Sequence, residues 1–303
     1  MEWSQIYSTF NPVAFEFFGF KIHWYALAYI TALLSALYIA YHFVIQEKKA
    51  LNTLANVRDL RFSLDKELLM SYFFWIEIGV ILGARIGYIL IYIIPYEEGS
   101  LVYYLSAPWQ MFNPFMNGEF VGIRGMSFHG ALVGALLSSI LFVRFHRKRG
   151  VHFWKIMDLV GLSVPVGYVF GRIGNFLNQE LVGRETDVSW GIYVNGVLRH
   201  PSQLYEAVLE GPLVFIIVYA FYRYRLKQNI PFCGQIGSLY MIAYSLARFC
   251  AEFFREPDSH IGFLFVQFSM GQILCLAMAI PAVILLIAQM KNPRFFCPHT
   301  ASS

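Results

Sequence analysis

The sequence has 303 residues, of which 57% are hydrophobic and only 14% are charged. Soluble domains carry about 25% charged residues, so this composition excludes a water-soluble protein with a charged surface. The chain is therefore interpreted as an integral membrane protein.

Seven apolar stretches are long enough to cross a bilayer, which takes about 20 mostly apolar residues in a helix. They are residues 24–45, 68–94, 128–145, 157–177, 207–222, 235–254 and 268–290. Backbone groups in lipid must be satisfied within the segment, and the period-2 alternation of a membrane barrel is missing. The sequence predicts an all-α polytopic membrane protein, a bundle of seven transmembrane helices in a single domain, 1–303.

The first twenty residues lack a basic start, and the first apolar run is too long for a signal core, so we expect no cleavable signal peptide. The segment is rich in aromatic residues, among them Trp3, Tyr7 and Phe10. Aromatic side chains favour the boundary between lipid and water. We expect this segment to lie in the interface and not to cross the membrane.

Orientation follows from the positions of Lys and Arg, because cytoplasmic loops near the membrane retain them. Fifteen of the 23 follow the first, third, fifth and seventh spans: Lys48, Lys49, Arg58, Arg61, Lys66, Arg144, Arg147, Lys148, Arg149, Lys155, Arg223, Arg225, Lys227, Lys291 and Arg294. The N-terminus is therefore expected outside and the C-terminus in the cytoplasm.

The other eight cationic residues fall on the outer side or in the outer halves of spans. They are Lys21, Arg85, Arg124, Arg172, Arg184, Arg199, Arg248 and Arg255. Seven of them are Arg, whose guanidinium binds phosphate through two parallel hydrogen bonds and tolerates partial burial. The set indicates an anionic group held near the outer leaflet, although helix-end side chains that reach for water would explain any single one.

The sixth span carries Tyr240, Tyr244, Arg248 and Glu252 at intervals of four, which places them on one helix face. A charged residue within a span costs about 2.5 to 3.5 kcal/mol, so such a face is expected to point into the bundle or a wet cavity. The alternative is that Arg248 and Glu252 neutralise each other as a helix pair.

The fourth span ends in amide and charged side chains. Arg172 and Asn175 are three apart and share a face, which Glu180 would join only if the helix continued. Glycines four apart, Gly83 with Gly87 and Gly130 with Gly134, indicate close helix packing.

Two histidines are candidate general bases on the outer side. His129 begins the third span, where a structural hydrogen-bonded role is an equal alternative. His200 follows a segment, 190–198, in which two apolar runs flank Asn195 and Gly196, the pattern of a tight β-hairpin. We expect a small extracytoplasmic head over residues 178–206 and an extracytoplasmic or interfacial arm over 96–127.

The run 171–180, GRIGNFLNQE, together with Gly183, resembles the signature of the bacterial prolipoprotein diacylglyceryl transferase family. Residues 24–25, 83–88, 128–130, 200–206 and 248–258 are similar to the family in the same order. The resemblance covers nearly the whole chain. It departs from the family pattern at Ala131, where a second Gly is usual.

The resemblance implies transfer of the sn-1,2-diacylglyceryl group from phosphatidylglycerol to the thiol of the lipobox cysteine in a prolipoprotein signal peptide. The product is a thioether, and glycerol phosphate leaves. The family implies the bacterial cytoplasmic (inner) membrane, with the active site facing the extracytoplasmic side. Neither a cofactor, a metal nor nucleic acid is expected, because the acyl esters stay intact and the phosphate is itself the leaving group.

The resemblance also assigns residues. Arg172 and Arg248 would hold the phosphate, Asn175 and Tyr25 would orient the headgroup, and His129 is the candidate base. By the same resemblance, Glu180 and Glu252 would fix the arginines, and Gly183 and Tyr244 would line the site. His200, the second possible base, is the fifth supporting residue.

The main competing class is a transporter or channel for an anion, because arginines within spans also mark ion pathways. Against it, the cations cluster at one face, and the halves show no convincing inverted repeat. A structural scaffold leaves the outer arginines without a role. A serine protease is set aside because Ser127 and His129, two apart, do not face each other on a helix.

Overall fold

The structure is a computed structural model that describes residues 2–17, 20–51, 64–116, 118–120, 125–228, 230, 232–256, 263–264 and 268–296. Arg58, Arg61, Arg124 and the end of the similar segment 248–258 lie outside the described residues. The chain divides into two compact units, one over residues 63–153 and the other over residues 1–62 and 154–303. Each unit is described by itself.

Long helices occupy all seven predicted stretches. They are α1 (Trp24–Leu51), α2 (Lys66–Ile93), α3 (Phe128–His146), α4 (Phe153–Leu177), α5 (Ser202–Lys227), α6 (Gln235–Ala251) and α7 (Met270–Lys291). Within the described residues, six of these helices are long and apolar enough to cross a membrane. The exception is α6, which has 17 residues.

The long helices carry exposed apolar side chains on their outer surfaces. Leu34, Leu137, Ile216 and Ile284 are each more than half exposed. A soluble monomer rarely presents apolar surface on this scale, whereas lipid solvates it without cost. The composition argument for a membrane protein is therefore matched by the placement of the apolar residues.

Short elements join the helices. Four antiparallel hairpins are present in the described residues: Val13–Phe17 with Phe20–His23, Phe115–Met116 with Glu119–Phe120, Ile192–Val194 with Val197–Arg199, and Phe263–Leu264 with Phe268–Ser269. Short helical turns cover Trp3–Gln5, Ile6–Thr9, Ser100–Ser106, Pro108–Phe112, Arg147–Arg149 and Pro293–Phe296. The third hairpin confirms the prediction, and its turn residues Asn195 and Gly196 have φ of 52° and 81°, as a type I′ turn requires.

The unit over residues 63–153 is built on the antiparallel pair α2 and α3. The backbones of the two helices are in contact where Gly79, Gly83 and Gly87 face Gly130 and Gly134. The spacing of Gly83 with Gly87 and of Gly130 with Gly134 predicts this close packing. A methyl group on Gly83 would lie 2.7 Å from the Cα of Gly134. Glycine is therefore needed on both helices for this close approach.

The end of this helix pair is fixed by Ser127. Its backbone N–H donates to the carbonyl of Ala84 at 2.9 Å, and its hydroxyl accepts from the N–H of Gly130 at 3.3 Å. Ser127 thus caps α3 and ties it to α2. This capping role accounts for a serine so close to His129.

In the other unit, α4 and α6 run parallel with a constant register. The carboxylate of Asp158 in α4 accepts the N–H groups of Gly234 and Ile236 at 2.7 and 2.8 Å, which caps the start of α6. Further along, Tyr168 donates to the Tyr244 hydroxyl at 3.3 Å. Asp158 with Gly234 and Tyr168 with Tyr244 share a separation of 76 residues, so the two helices advance together.

The remaining helices of that unit, α1, α5 and α7, run antiparallel to α4 and α6. The contacts that show this direction are Gly167 with Ala32 and Gly174 with Ala28 for α1, Gly211 with Pro165 and Glu206 with Arg172 for α5, and Ser238 with Gln289 and Glu252 with Gly271 for α7. In this unit, helices that are an odd number of connections apart along the chain run antiparallel, and helices that are an even number apart run parallel.

We expect Gly134→Ala to destabilise the unit over residues 63–153, because the added methyl group would overlap the carbonyl oxygen of Gly79. Overpacking of this kind costs about 1–3 kcal/mol. The measurement is thermal unfolding of purified protein in detergent.

The matched control is Gly171→Ala in α4, where a methyl group meets nothing within 4 Å. This variant should keep or raise the melting temperature, since Ala favours a helix over Gly by about 1 kcal/mol. Equal melting temperatures for the two variants would contradict the close packing of α2 and α3.

Candidate functional site

The common register of α4 and α6 brings two arginines side by side. Asp158 of α4 and Gly234 at the start of α6 are hydrogen-bonded. Arg172 follows Asp158 by the same number of residues as Arg248 follows Gly234, so the two arginines lie at the same level of the bundle. Both guanidiniums are nearly buried, with side-chain exposures of 14% and 11%. Two buried positive charges at one level of a bundle require partners.

Two carboxylates of α5 bridge the arginines. Glu206 Oε2 lies 2.8 Å from Nη1 of Arg172 and 2.9 Å from Nη1 of Arg248. Glu210 Oε2 accepts from Nε and Nη2 of Arg172 at 3.0 and 2.9 Å, and its Oε1 accepts from Nη1 of Arg248 at 3.1 Å. Both glutamate side chains are completely buried.

A third carboxylate completes this network, called the arginine cluster below and defined as Arg172, Glu206, Glu210, Arg248 and Glu252. Both oxygens of Glu252 lie 3.3 Å from Nη2 of Arg248. The predicted pairing within α6 is therefore present, but as one part of a larger network. Three carboxylates face two guanidiniums, and all five side chains are at least 86% buried.

The local structure of α5 explains how its carboxylates reach both arginines. Glu206 and Glu210 are four apart and share a helix face. Residues Leu209–Leu213 form a π turn that contains Pro212, which has no N–H to offer an α-helical ladder. Single π turns recur at functional sites because they redirect side chains.

The segment after α4 departs from the prediction for Glu180. Its carboxylate accepts from the side-chain amides of Asn175 and Asn178 at 2.7 and 3.1 Å, whereas the carboxylate partners of Arg172 are Glu206 and Glu210. The reason is that α4 ends at Leu177, so Glu180 does not continue the face of Arg172.

Tyr25, at the start of α1, faces the same region. Its hydroxyl is within electrostatic range of both Glu180 and Arg172, and its ring packs beside Gly174. The ring of Tyr244 is tilted by 53° against that of Tyr168, with ring centroids 5.1 Å apart, and Tyr244 lies near Arg172. The structure thus gathers Tyr25, Asn175 and Tyr244 around the arginine cluster.

The segment that follows α4 packs against the residues that follow α6. Gly183 forms an antiparallel bridge with Arg255, and a methyl group at Gly183 would overlap the carbonyl oxygen of His200. Arg184 donates to the carbonyls of Arg255 and Glu252. Gly183 is therefore needed for close approach of three backbone segments.

His200 belongs to an aromatic group with Tyr205 and Phe254. Its ring stands on edge against Tyr205 and Phe254, and Nδ1 lies 3.2 Å from the Tyr205 hydroxyl. Burial lowers the pKa of His200 below its ordinary value, with a weaker opposing effect from Asp187. A neutral imidazole is the form that this environment favours at pH 7.

His129 belongs to the other compact unit. It lies in the first turn of α3, and its side chain is exposed. The arginine cluster is formed wholly within the unit that contains α4, α5 and α6. His129 stays a candidate base on the strength of its residue type and of the family resemblance.

Two residues of the cluster were missed as site residues. The sequence prediction includes Glu206 only as the last residue of the family-like segment 200–206, and it does not include Glu210, which falls inside a predicted span. The sequence does contain a signal for both residues: Glu210 is a carboxylate within an apolar span, and it lies four residues from Glu206, on the same helix face.

A family model for prolipoprotein diacylglyceryl transferase matches residues 12–288. The chain belongs to the prolipoprotein diacylglyceryl transferase family. The phosphatidylglycerol–prolipoprotein diacylglyceryl transferase of Wolinella succinogenes is 58% identical over 285 residues, 94% of this chain and 95% of that protein. The Campylobacter curvus protein of the same name is 53% identical over 290 residues, 96% of this chain and 98% of that protein.

The match to prolipoprotein diacylglyceryl transferase includes the whole arginine cluster and the segments around it. Tyr25, Asn175, Glu180, Gly183 and Tyr244 also fall within residues 12–288. The family assignment made from the sequence is confirmed.

We expect Glu210→Ala to destabilise the protein by about 3–5 kcal/mol, because it leaves buried guanidinium charge uncompensated. Glu210→Gln should cost less, since the amide oxygen still accepts from Arg172. Denaturant unfolding in mild detergent measures both.

The control is Glu67→Ala, which removes an ion pair of 3.5 Å to Arg149 from a side chain that is 82% exposed. Exposed pairs contribute about 0–1 kcal/mol. A Glu210→Ala variant as stable as Glu67→Ala would show that the arginines do not depend on Glu210.

Proposed function

We propose that the protein transfers the diacylglyceryl group of phosphatidylglycerol to the thiol of a lipobox cysteine in a prolipoprotein signal peptide, with glycerol phosphate as the leaving group. The observation that carries the proposal is the buried pair Arg172 and Arg248 in a chain of this family. A phosphate that leaves with added negative charge needs such donors, held in place before the reaction.

The arginines suit a phosphodiester for a geometric reason. A guanidinium presents a planar fork of five N–H groups, and two forks from different helices reach a phosphate from two directions. Glu206 and Glu210 hold both forks, so little reorganisation is needed when substrate binds. The arginines are the proposed catalytic and phosphate-binding residues.

Other residues take roles around this pair. Asn175 and Tyr25 would orient the headgroup, and Glu180 would act through the amides of Asn175 and Asn178. Glu252 fixes Arg248, while Gly183, Tyr244 and His200 support the walls of the site. His129 is the proposed base that converts the cysteine thiol to the nucleophilic thiolate.

We place the site on the extracytoplasmic side of a bacterial cytoplasmic (inner) membrane, with seven spans and the N-terminus outside. The directions of α1, α4, α5, α6 and α7 agree with seven alternating crossings. On this topology the head 178–206 and the arm 96–127 lie outside, and the lysine-rich and arginine-rich connections lie in the cytoplasm. The lipid bilayer is then both solvent and source of substrate.

Purified protein in detergent should transfer label from phosphatidylglycerol to a lipobox peptide. We expect Arg172→Ala to lower the rate by about 100-fold or more, because a donor to the developing charge is lost. Arg172→Lys keeps the charge but not the fork, so it should recover only part of the rate. The measurement follows label on the peptide cysteine.

The matched control is Arg149→Ala, which removes an exposed arginine from the other compact unit. It should transfer at the wild-type rate. If a folded wild-type protein transfers nothing, the enzyme proposal fails, and anion flux into proteoliposomes becomes the test of the transporter alternative.

Labelling of single introduced cysteines tests the topology. Asn195→Cys, at the tip of the third hairpin, should react in intact cells with a maleimide that cannot cross the membrane. Lys148→Cys, also exposed, should react only after the cells are opened. The wild-type protein gives the background from its own cysteines, and equal labelling of both variants in intact cells would overturn the orientation.

A further inference from the structure

The loop that follows α4 has a backbone that needs support from its surroundings. Gln179 and Leu181 have φ of 57° and 56°, in the left-handed region that side chains other than glycine adopt only where other contacts hold them there. Between them lies Glu180, whose carboxylate accepts from the amides of Asn175 and Asn178. A carboxylate accepts and does not donate, so it fixes which way round each amide lies. The shape of the loop therefore sets the orientation of Asn175.

One side of this support is the N-terminal segment, defined as residues 3–10. The side-chain amide of Gln179 donates to the carbonyls of Tyr7 and Phe10 at 3.1 and 3.0 Å. The ring of Tyr7 packs against Phe176, in the last turn of α4, with ring centroids 5.2 Å apart. The N-terminal segment thus contacts both the loop and the end of the helix that precedes it.

The other side of the support is the start of α5. The Ser202 hydroxyl donates to the carbonyl of Leu181 at 3.2 Å, and the amide of Gln203 donates to the carbonyl of Glu180. The same amide donates to the Tyr7 hydroxyl at 3.3 Å. Gln203 is completely buried, so water does not compete for these hydrogen bonds. One side chain therefore joins α5, the loop and the N-terminal segment.

Gln203 lies on the face of α5 that carries the carboxylates. It precedes Glu206 by three residues and Glu210 by seven, and residues at this spacing share one helix face. The two carboxylates hold Arg172 and Arg248. The position of the loop relative to the arginines is therefore set along a single face of α5.

We propose that Gln203 is a positioning residue that sets the affinity for phosphatidylglycerol, because it holds the headgroup end of the site at a fixed place relative to the arginines. The proposal rests on the proposed function. Gln203 acts through Glu180 and Asn175 and does not itself touch the lipid. The N-terminal segment takes part in substrate binding by the same route, through Tyr7 and Gln179.

The position of Gln203 predicts which kinetic constant depends on it. A headgroup contact is made when the lipid binds and is kept in the transition state, so its loss raises KM and leaves kcat unchanged. Arg172 and Arg248, which would face the developing charge, keep their carboxylate partners when Gln203 is replaced. Loss of the loop alignment should therefore raise KM for phosphatidylglycerol with little change in kcat.

Steady-state kinetics with phosphatidylglycerol in mixed micelles tests this effect. Gln203→Met keeps the length of the side chain but loses both hydrogen bonds, so it should raise KM by about 10-fold. Tyr7→Phe leaves the bond from Gln203 to Glu180 in place and should raise KM less. The matched control is Gln289→Met, the same substitution at another completely buried glutamine, which accepts from Ser238 at the start of α6. It should keep the wild-type KM.

Hydrogen–deuterium exchange tests the support of the loop without turnover. The backbone N–H of Glu180 donates to the carbonyl of Asn175 at 3.1 Å, so it exchanges only when the loop opens. A peptide that covers the loop should exchange about 10-fold faster in Gln203→Met than in the wild type. The same peptide should exchange at the wild-type rate in Gln289→Met.

A Gln203→Met variant with the wild-type KM or the wild-type loop exchange would overturn the proposal, and so would a fall in kcat at unchanged KM. If Gln203→Met does not fold, Gln179→Gly carries the test, because glycine adopts a φ of 57° without strain and loses both hydrogen bonds to the N-terminal segment. It should show the same rise in KM. A wild-type protein without transfer activity would instead contradict the proposed function, and the exchange result would still decide whether Gln203 holds the loop.

Discussion

The contact between the two arginines and the glutamates of α5 is the constraint on which the rest of this unit depends. Arg172 and Arg248 are buried at one level of the bundle, and neither is tolerable without a carboxylate. Because Glu206 and Glu210 each bridge both arginines, α4, α5 and α6 are tied together at a single place. Sliding any one helix by a turn would separate several ion pairs at once, so the cluster defines the register as well as the charge.

The opposite end of the same helices supports that register by different means. The cap that Asp158 gives to α6 is made of neutral N–H donors, and close contacts around Gly161 and Gly237 let α4 and α6 approach. Small residues allow this approach in lipid, where no hydrophobic effect drives helices together. Asp158 and Gly234 are separated by the same number of residues as Arg172 and Arg248. A shift of α4 against α6 would therefore disrupt the capping contact and the arginine cluster together.

The sequence was sufficient for features whose cause is local. Helix positions follow from apolar length, the hairpin from Asn195 and Gly196, and the inward position of Arg248 from the cost of charge in lipid. Contacts between distant residues could not be predicted from the sequence. Glu210 contacts Arg172, 38 residues before it, and Arg248, 38 residues after it, and it does so from within a π turn. Glu180 was assigned to the arginines by analogy, whereas the end of α4 at Leu177 directs its carboxylate to two amides.

The segment that carries Glu180 is held by the N-terminal residues as well as by the bundle. Gln179 and Leu181 have φ of 57° and 56°, a conformation that side chains adopt only under constraint. The amide of Gln179 donates to the carbonyls of Tyr7 and Phe10, and Gln203 donates to the Tyr7 hydroxyl and the carbonyl of Glu180. The aromatic N-terminal residues therefore fix the loop beside Asn175. The proposed phosphate-binding end of the site is then held by ion pairs between helices, and the proposed headgroup end by this second set of contacts.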